Sequence, residues 1–292
     1  MKARGRDVTN AQPDVIGFLA GTATGQFNAD VTRGNGTFNF ATTSERNIWG
    51  RVQGSWSDYG TIEDSYYFGA VGAHTNLSPN ALVGVMLEFD HMSQTQGAVS
   101  TEGKGFLAGP YFAAKMPNQP LYFSARLMAG KTDNEIKNGG VSDDFDTDRL
   151  LAAVKVAGQV DLGSTMMTPS LSATHLRDKQ EAYVSGGGAT IGAQRVEITE
   201  VAAGLDFAYP VSLPSGELMM TGGISGIWSD SGGTGFGSTA LPTFDGGRAR
   251  VAFGASQTMR NGTVFDVETF YDGIGASSYE SFGLSLGVEA QF

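Results

Sequence analysis

An imidazole beside a hydroxyl or a carboxylate can work as a general base, so the three histidines are the first candidates for chemistry. His91 has Ser93 near it and His175 has Asp178, while His74 sits apart from both. A catalytic base also needs a partner held in one geometry, and these spacings do not exceed what chance supplies. Polarity at the ends of structural segments accounts for them, and no enzymatic activity is expected. A second candidate is the acidic run Asp143, Asp144, Asp146 and Asp148, whose oxygens could serve calcium. The glycine and distal glutamate of an EF-type loop are missing, so the run reads as a solvated acidic loop. Cysteine is absent, which removes thiolate metal sites and disulfides. Neither a metal nor a cofactor is expected.

The third candidate is a dispersed charged set: Arg51, Glu88, Asp90, Arg126, Arg149, Lys155, Glu200, Arg248, Arg250, Asp266 and Glu268. Each occupies the polar side of a segment whose other side is apolar. Such a set can stiffen a wall and grip an inner segment through salt bridges, or it can select ions.

What positions these residues is a repeat that begins at Ile48: about ten residues with apolar side chains at every second place, then turn residues. Val83, Val85, Leu87 and Phe89 alternate with Gly84, Met86, Glu88 and Asp90. Leu150, Val154 and Val156 oppose Arg149 and Lys155, and Val201, Ala203, Leu205 and Phe207 oppose Glu200 and Asp206. Ala249, Val251 and Phe253 oppose Arg248 and Arg250, and Phe265, Val267 and Tyr271 oppose Asp266 and Glu268. Gly105 to Ala114 is ambiguous, with both faces apolar and Pro110 lacking a ladder donor. The segments predict about twelve strands. Ionised groups of both signs would be costly in a dry core, so the polar face lines a wet lumen and the apolar face meets lipid. In lipid every backbone polar group must be paired, which closes the sheet into an antiparallel up-and-down barrel.

Connections read as alternately tight (Asn76 to Asn80, Met116 to Pro120, Asp161 to Ser164, Arg260 to Gly262) and long (His91 to Gly103, Asp133 to Asp148, Arg177 to Gln194, Ser229 to Gly247). Short turns on one rim and long loops on the other fit an outer-membrane barrel. The aromatics Trp49, Trp56, Tyr67, Phe89, Tyr111, Trp228 and Tyr271 fit interfacial girdles, some of them pointing inward. Composition agrees: 42 glycines among 292 residues suit many turns. A formal net charge of -11 disfavours nucleic acid and anionic membrane surfaces, which need clustered Lys and Arg. No apolar run approaches the roughly 20 residues of a spanning helix, and the mean hydropathy of -0.13 hides a barrel because only alternate residues face lipid. The basic start Met1 to Arg6 lacks a following apolar stretch and so does not read as a signal peptide: either the chain is soluble or its export signal lies upstream. Residues 1–46 lack the alternation; Pro13 could open a short helix over 13–20.

The sequence resembles the C-terminal translocator domain of autotransporters, the type V secretion proteins of Gram-negative bacteria. The carriers are the opening Asn47-Ile48-Trp49-Gly50-Arg51-Val52-Gln53-Gly54-Ser55-Trp56, the strand number, and the closing Tyr279 to Phe292, where Leu286, Val288 and Phe292 look like the signal read by the barrel-assembly machinery. The resemblance implies a translocator over 47–292, a linker over 1–46 threading the barrel, and an upstream passenger carried to the cell surface. It implies an outer-membrane location, lipid and lipopolysaccharide as surroundings, and a monomer. Some members cut themselves between two Asn residues in the linker helix; no Asn-Asn pair occurs over 11–46. A small diffusion pore is the alternative, and a hydrolase at the barrel rim a more distant one.

Overall fold

The period-two segments become strands in the computed structural model, which describes residues 1–10, 12, 15–16, 40–43, 48–59, 62–138, 140–213, 216–236, 245–259, 264–276 and 281–289. A helix, α1 (Lys2–Asn10), comes first, followed by β1 (Phe40–Thr43), β2 (Ile48–Tyr59), β3 (Ile62–Ser78), β4 (Ala81–Gln96), β5 (Val99–Lys115), β6 (Leu121–Asn138), β7 (Val141–Gly158) and β8 (Val160–Leu162). Then come β9 (Thr165–Gln180), β10 (Tyr183–Val184), β11 (Thr190–Ile191), β12 (Gln194–Leu213), β13 (Gly216–Thr234), β14 (Gly246–Met259), β15 (Val264–Ile274) and β16 (Ser281–Glu289). One antiparallel ladder runs β1-β2-β3-β4-β5-β6-β7-β9-β12-β13-β14-β15-β16, with β8 also on β9, while β10 and β11 form a separate hairpin. Leaving aside the short β1, β8, β10 and β11, the expected twelve strands are present, each paired with its neighbour in sequence. Residues 167–173 and 218–228, whose alternation is less regular in the sequence, belong to full strands β9 and β13.

The alternation is visible side chain by side chain. On β4, Val85, Leu87 and Phe89 are exposed, whereas Leu82, Met86, Glu88, Asp90 and Met92 are buried. The exposed apolar face continues through Phe106, Leu127, Val154, Leu171, Leu205 and Phe253, which is tolerable only in lipid. The buried face mixes charge with apolar residues such as Leu107, Tyr111, Met128 and Leu151, so the inner surface is less uniformly polar than the sequence suggested. Among the aromatics, Tyr67, Phe89 and Trp228 point outward and Tyr111 inward, while the side chains of Trp49 and Trp56 lie outside the described residues.

Curvature follows from what α1 touches. It contacts β3, β9 and β12, and β3 and β9 are separated in the ladder by four strands. A flat sheet could not bring them to one short helix; the sheet wraps around it. Among the described residues no ladder joins β16 to β2, so closure rests on this wrap and on the pairing that backbone groups require in hydrocarbon.

Two expected long loops are instead hairpins. β4 and β5 pair up to Gln96↔Val99, and β6 and β7 pair up to Asn138↔Val141. Gly97 (φ 59°) and Gly140 (φ 89°) supply the positive φ that such tight turns need. These polar stretches hid as loops because beyond the membrane the outward residues are polar like the lumen-facing ones, and the period-two signal disappears. The connection 181–193 does leave the ladder and carries the β10–β11 hairpin. The ambiguous stretch is β5, whose register with β6 pauses at Gly109-Pro110, between Ala108↔Ala129 and Tyr111↔Arg126. Proline has no N–H to donate there, and a Cβ on Gly109 would stand 1.9 Å from the Leu127 carbonyl oxygen.

Candidate functional site in the lumen

A helix of nine residues containing Gly5 does not persist alone in water, so the barrel wall must hold α1. It does so at three heights. Arg4 donates from Nε to Asp90 of β4 and from Nη1 to Asn134 of β6 at 2.8 Å. Thr9 shares its one hydroxyl hydrogen between the Arg6 carbonyl at 2.7 Å and Glu200 of β12 at 3.3 Å. Gln12, just past the helix, donates to Glu88 of β4 at 3.0 Å and accepts from Arg126 of β6 at 3.3 Å. Gln12 also donates to the Val8 carbonyl at 3.1 Å, satisfying one of the helix's last acceptors. Val8 packs among Leu107, Met128, Leu151 and Leu176 in the apolar part of the lumen.

The Arg4 seat is shaped by glycine. A Cβ on Gly103 would lie 2.4 Å from Arg4 Nη1, and one on Gly105 would lie 2.6 Å from Nη2 and 2.7 Å from Asp90 Oδ1. The Gly103-Lys104-Gly105 stretch of β5 therefore clears the inner wall for the guanidinium, while Lys104 faces out. Arg4 is 1% exposed and Asp90 8%, so this is a buried charge pair whose separate ions would be costly. Asp90 also receives Arg149 Nη1 at 3.5 Å. Arg149 is fixed by a two-pronged pair to Asp178 of β9, both bonds at 2.7 Å. This fork is the geometry in which a guanidinium binds a carboxylate best. The result is a chain, Arg4–Asp90–Arg149–Asp178, across the helix, β4, β7 and β9.

A second cluster lies on the other side of Thr9. Arg248 of β14 donates to Asp272 of β15 at 3.1 Å, to Glu200 at 3.1 Å, and to Ser229 of β13, which itself donates to Glu200 at 2.8 Å. Of the charged set read from the sequence, Glu88, Asp90, Arg126, Arg149, Glu200 and Arg248 thus converge on the inserted segment or its immediate supports. Lys155 and Arg250 belong to a different level, where both act electrostatically on Asp206. Arg51 lies on β2, Asp266 and Glu268 on β15, and Leu286 and Val288 on β16; their side chains, and Phe292 altogether, lie outside the described residues. The helix expected over 13–20 also lies outside them except for Val15 and Ile16, both buried.

Sequence reasoning missed Arg4, Thr9, Gln12, Asn134, Asp178 and Asp272. Asp178 and Asn134 fell in stretches read as loops, whereas Asp272 keeps the phase of Asp266 and Glu268, ahead of the register shift opposite Ala249/Arg250, and strict alternation pointed to it. The glycines two apart at 103 and 105 were the available signal for a side chain crossing from elsewhere.

His91 and His175 stand on the outer surface. The His91 ring stacks on Tyr67 with centroids 6.3 Å apart, and His175 bonds Thr199 at 2.8 Å. His74 faces inward, 2.9 Å from the Tyr111 hydroxyl, whose ring lies over Gly84. The acidic run divides between faces: Asp143 accepts from the Gly186 amide at 2.6 Å, whereas Asp144, Asp146 and Asp148 are exposed at alternate places on β7. Among the described residues no cluster of three or more carboxylate or imidazole side chains is placed to hold a metal ion.

The family model described as Autotransporter beta-domain matches residues 48–292. No curated protein matches the chain in sequence. Solved structures do in fold: the β domain of the Bordetella autotransporter BrkA (16% identity, 84% of this chain and 99% of that one, TM-score 0.60) and the translocator domain of NalP from Neisseria meningitidis (16% identity, 84% and 87%, TM-score 0.58). The transport unit of AIDA-I from Escherichia coli is similar at 12% identity, 85% and 91% coverage, and a TM-score of 0.61.

Proposed function

Because the chain belongs to the autotransporter β-domain family, an outer-membrane translocator of Gram-negative bacteria that delivers a passenger domain, we propose that residues 1–46 are the linker left in the lumen and that α1 is its fixed point. The observation that carries this is the burial of Arg4 between Asp90 and Asn134 on the glycine-cleared wall of β5. A segment that merely passed through would not need a dedicated cationic seat. With α1 seated, the barrel anchors the passenger and the pathway is shut to ions. The test is conductance in planar bilayers: the intact chain stays closed, and a chain lacking residues 1–16 that still shifts on a gel between boiled and unboiled samples conducts steadily. Steady conduction by the intact chain would favour the pore reading instead.

The remaining partners belong to the same proposal. Leu286, Val288 and Phe292 serve as the assembly signal, so replacing Phe292 lowers the amount of folded barrel recovered from cells. The barrel works as a monomer, surrounded by lipid and lipopolysaccharide. A hydrolase role gains no support from the histidines: His91 and His175 sit outside the barrel, each against a single neutral partner.

A further inference from the structure

Everything that receives Arg4 belongs to the barrel wall and is oriented by the wall. Asn134 presents its Oδ1 to Arg4 while its Nδ2 donates to Thr132 Oγ1 at 2.8 Å. Thr132 in turn shares a 2.6 Å hydrogen bond with Thr147 of β7. Asp90, Gly105, Thr132 and Thr147 stand level across four neighbouring strands, β4 to β7. The second oxygen of Asp90 meets Arg149, which Asp178 fixes from β9. With α1 taken away, each of these groups keeps the partner that orients it, and the clearance at Gly103 and Gly105 remains. The seat is therefore shaped independently of its occupant, the condition under which a binding site loses least on association.

The wall also carries an excess of negative charge. Five carboxylates face the inserted segment or brace groups that do: Glu88, Asp90, Asp178, Glu200 and Asp272. The described arginines among them are three, Arg126, Arg149 and Arg248. Arg4 and Arg6, both buried, bring the count to five against five. Beyond the lipid the excess continues, since residues 99–104, 131–138 and 141–148 hold seven carboxylates against three lysines. An acidic rim of this kind raises the local concentration of a cationic segment before it enters.

On the reading that α1 occupies the lumen, we infer that the seat is a guanidinium receptor of the wall and α1 its tethered ligand, so that an arginine-bearing peptide entering by the outer mouth takes the same place once Arg4 is out of it. Shape specifies guanidinium over ammonium. Nε and Nη1 of one planar group meet acceptors on different strands, Asp90 of β4 and Asn134 of β6, and a single ammonium nitrogen cannot stand at both places. The ligand is specified further by Gly5, where a Cβ would lie 2.7 Å from Ile198 Cδ1 and 3.2 Å from Leu176 Cδ2. Both of those side chains are buried. The recognised class is thus a short segment reading Arg-Gly-Arg.

The test uses the full chain with Arg4→Ala, folded in detergent, and a peptide of residues 1–12 labelled with fluorescein, followed by fluorescence anisotropy. The peptide binds saturably to the Arg4→Ala chain and about tenfold more weakly to the parent, whose own Arg4 fills the seat. Peptides with Arg4→Lys or Gly5→Val each bind about tenfold more weakly to the same Arg4→Ala chain, a comparison that needs no further change in the barrel. Adding Asp90→Asn to the chain lowers binding likewise, with heat-dependent gel mobility reporting that it remains folded. Equal binding of the arginine and lysine peptides, equal binding by parent and Arg4→Ala chains, or no binding at all overturns the inference. A parent closed to ions whose Arg4→Ala form ignores the peptide sinks the receptor alone, whereas a parent that conducts steadily removes the seated helix and the receptor together.

Discussion

Replacing Asp90 with Ala isolates the seat from the wall. Arg149 keeps its two 2.7 Å bonds to Asp178, so the β7–β9 side of the network stays neutralised. Arg4, with a side chain 1% exposed, keeps only the neutral Asn134. Removing one partner of a buried pair costs about 3–5 kcal/mol, but α1 can limit that cost by leaving and exposing Arg4 to water. The lower figure converts to roughly a hundredfold rise in the open fraction, at about 1.4 kcal/mol per factor of ten. The chain has no cysteine, so Val8→Cys provides a single thiol at a position 1% exposed. Its labelling rate by a water-soluble maleimide, on barrel folded in detergent, follows the fraction of time α1 is out. Asp90→Ala accelerates labelling about a hundredfold, while Asp148→Ala on the outer surface leaves it unchanged. If Asp90→Ala labels as slowly as the parent while remaining heat-modifiable, Arg4 does not secure the helix.

Gly105→Val places side-chain atoms where Arg4 Nη2 and Asp90 Oδ1 now lie; the same thiol assay registers faster labelling with an unaltered barrel. Tyr111→Phe removes the 2.9 Å bond to His74 and lowers stability by about 1 kcal/mol, read from the urea midpoint of unfolding in micelles; an unchanged midpoint refutes the contribution. At the β6–β7 tip, hydrogen bonds from Lys137 and then Ser142 hold the Glu135 carboxyl below its ordinary value. A lowered folded-state value means that the contribution is complete above the ordinary carboxylate range and fades as pH falls through the lowered one. Carboxyl ¹³C titration of Glu135 gives a midpoint below that of a free glutamate, and Lys137→Met raises it; a midpoint that ignores Lys137 contradicts the pairing.

The wall was legible because lipid imposes a binary choice on every second residue: Val85, Leu87 and Phe89 could be assigned outward, and Glu88 and Asp90 inward, from order alone. Where lipid ends the constraint ends, and β6 beyond Lys131 reads as loop although its ladder continues to Asn138. The lumen carboxylates were identifiable as a class, but their partners were not. Arg4 is 86 residues from Asp90, in a stretch with no periodic pattern, and its helix forms because of tertiary contacts and not propensity.

The continued hairpins of β6 and β7 alter where secreted material appears. From Lys131 to Asn138 the strand adds eight residues, which at about 3.4 Å each and a tilt near 40° lifts the tip by about 20 Å. The barrel is therefore a chimney standing clear of the lipid boundary. A delivered chain emerges above that boundary, and whatever attacks or recognises the cell from outside meets the acidic flank of the chimney before it meets the bilayer.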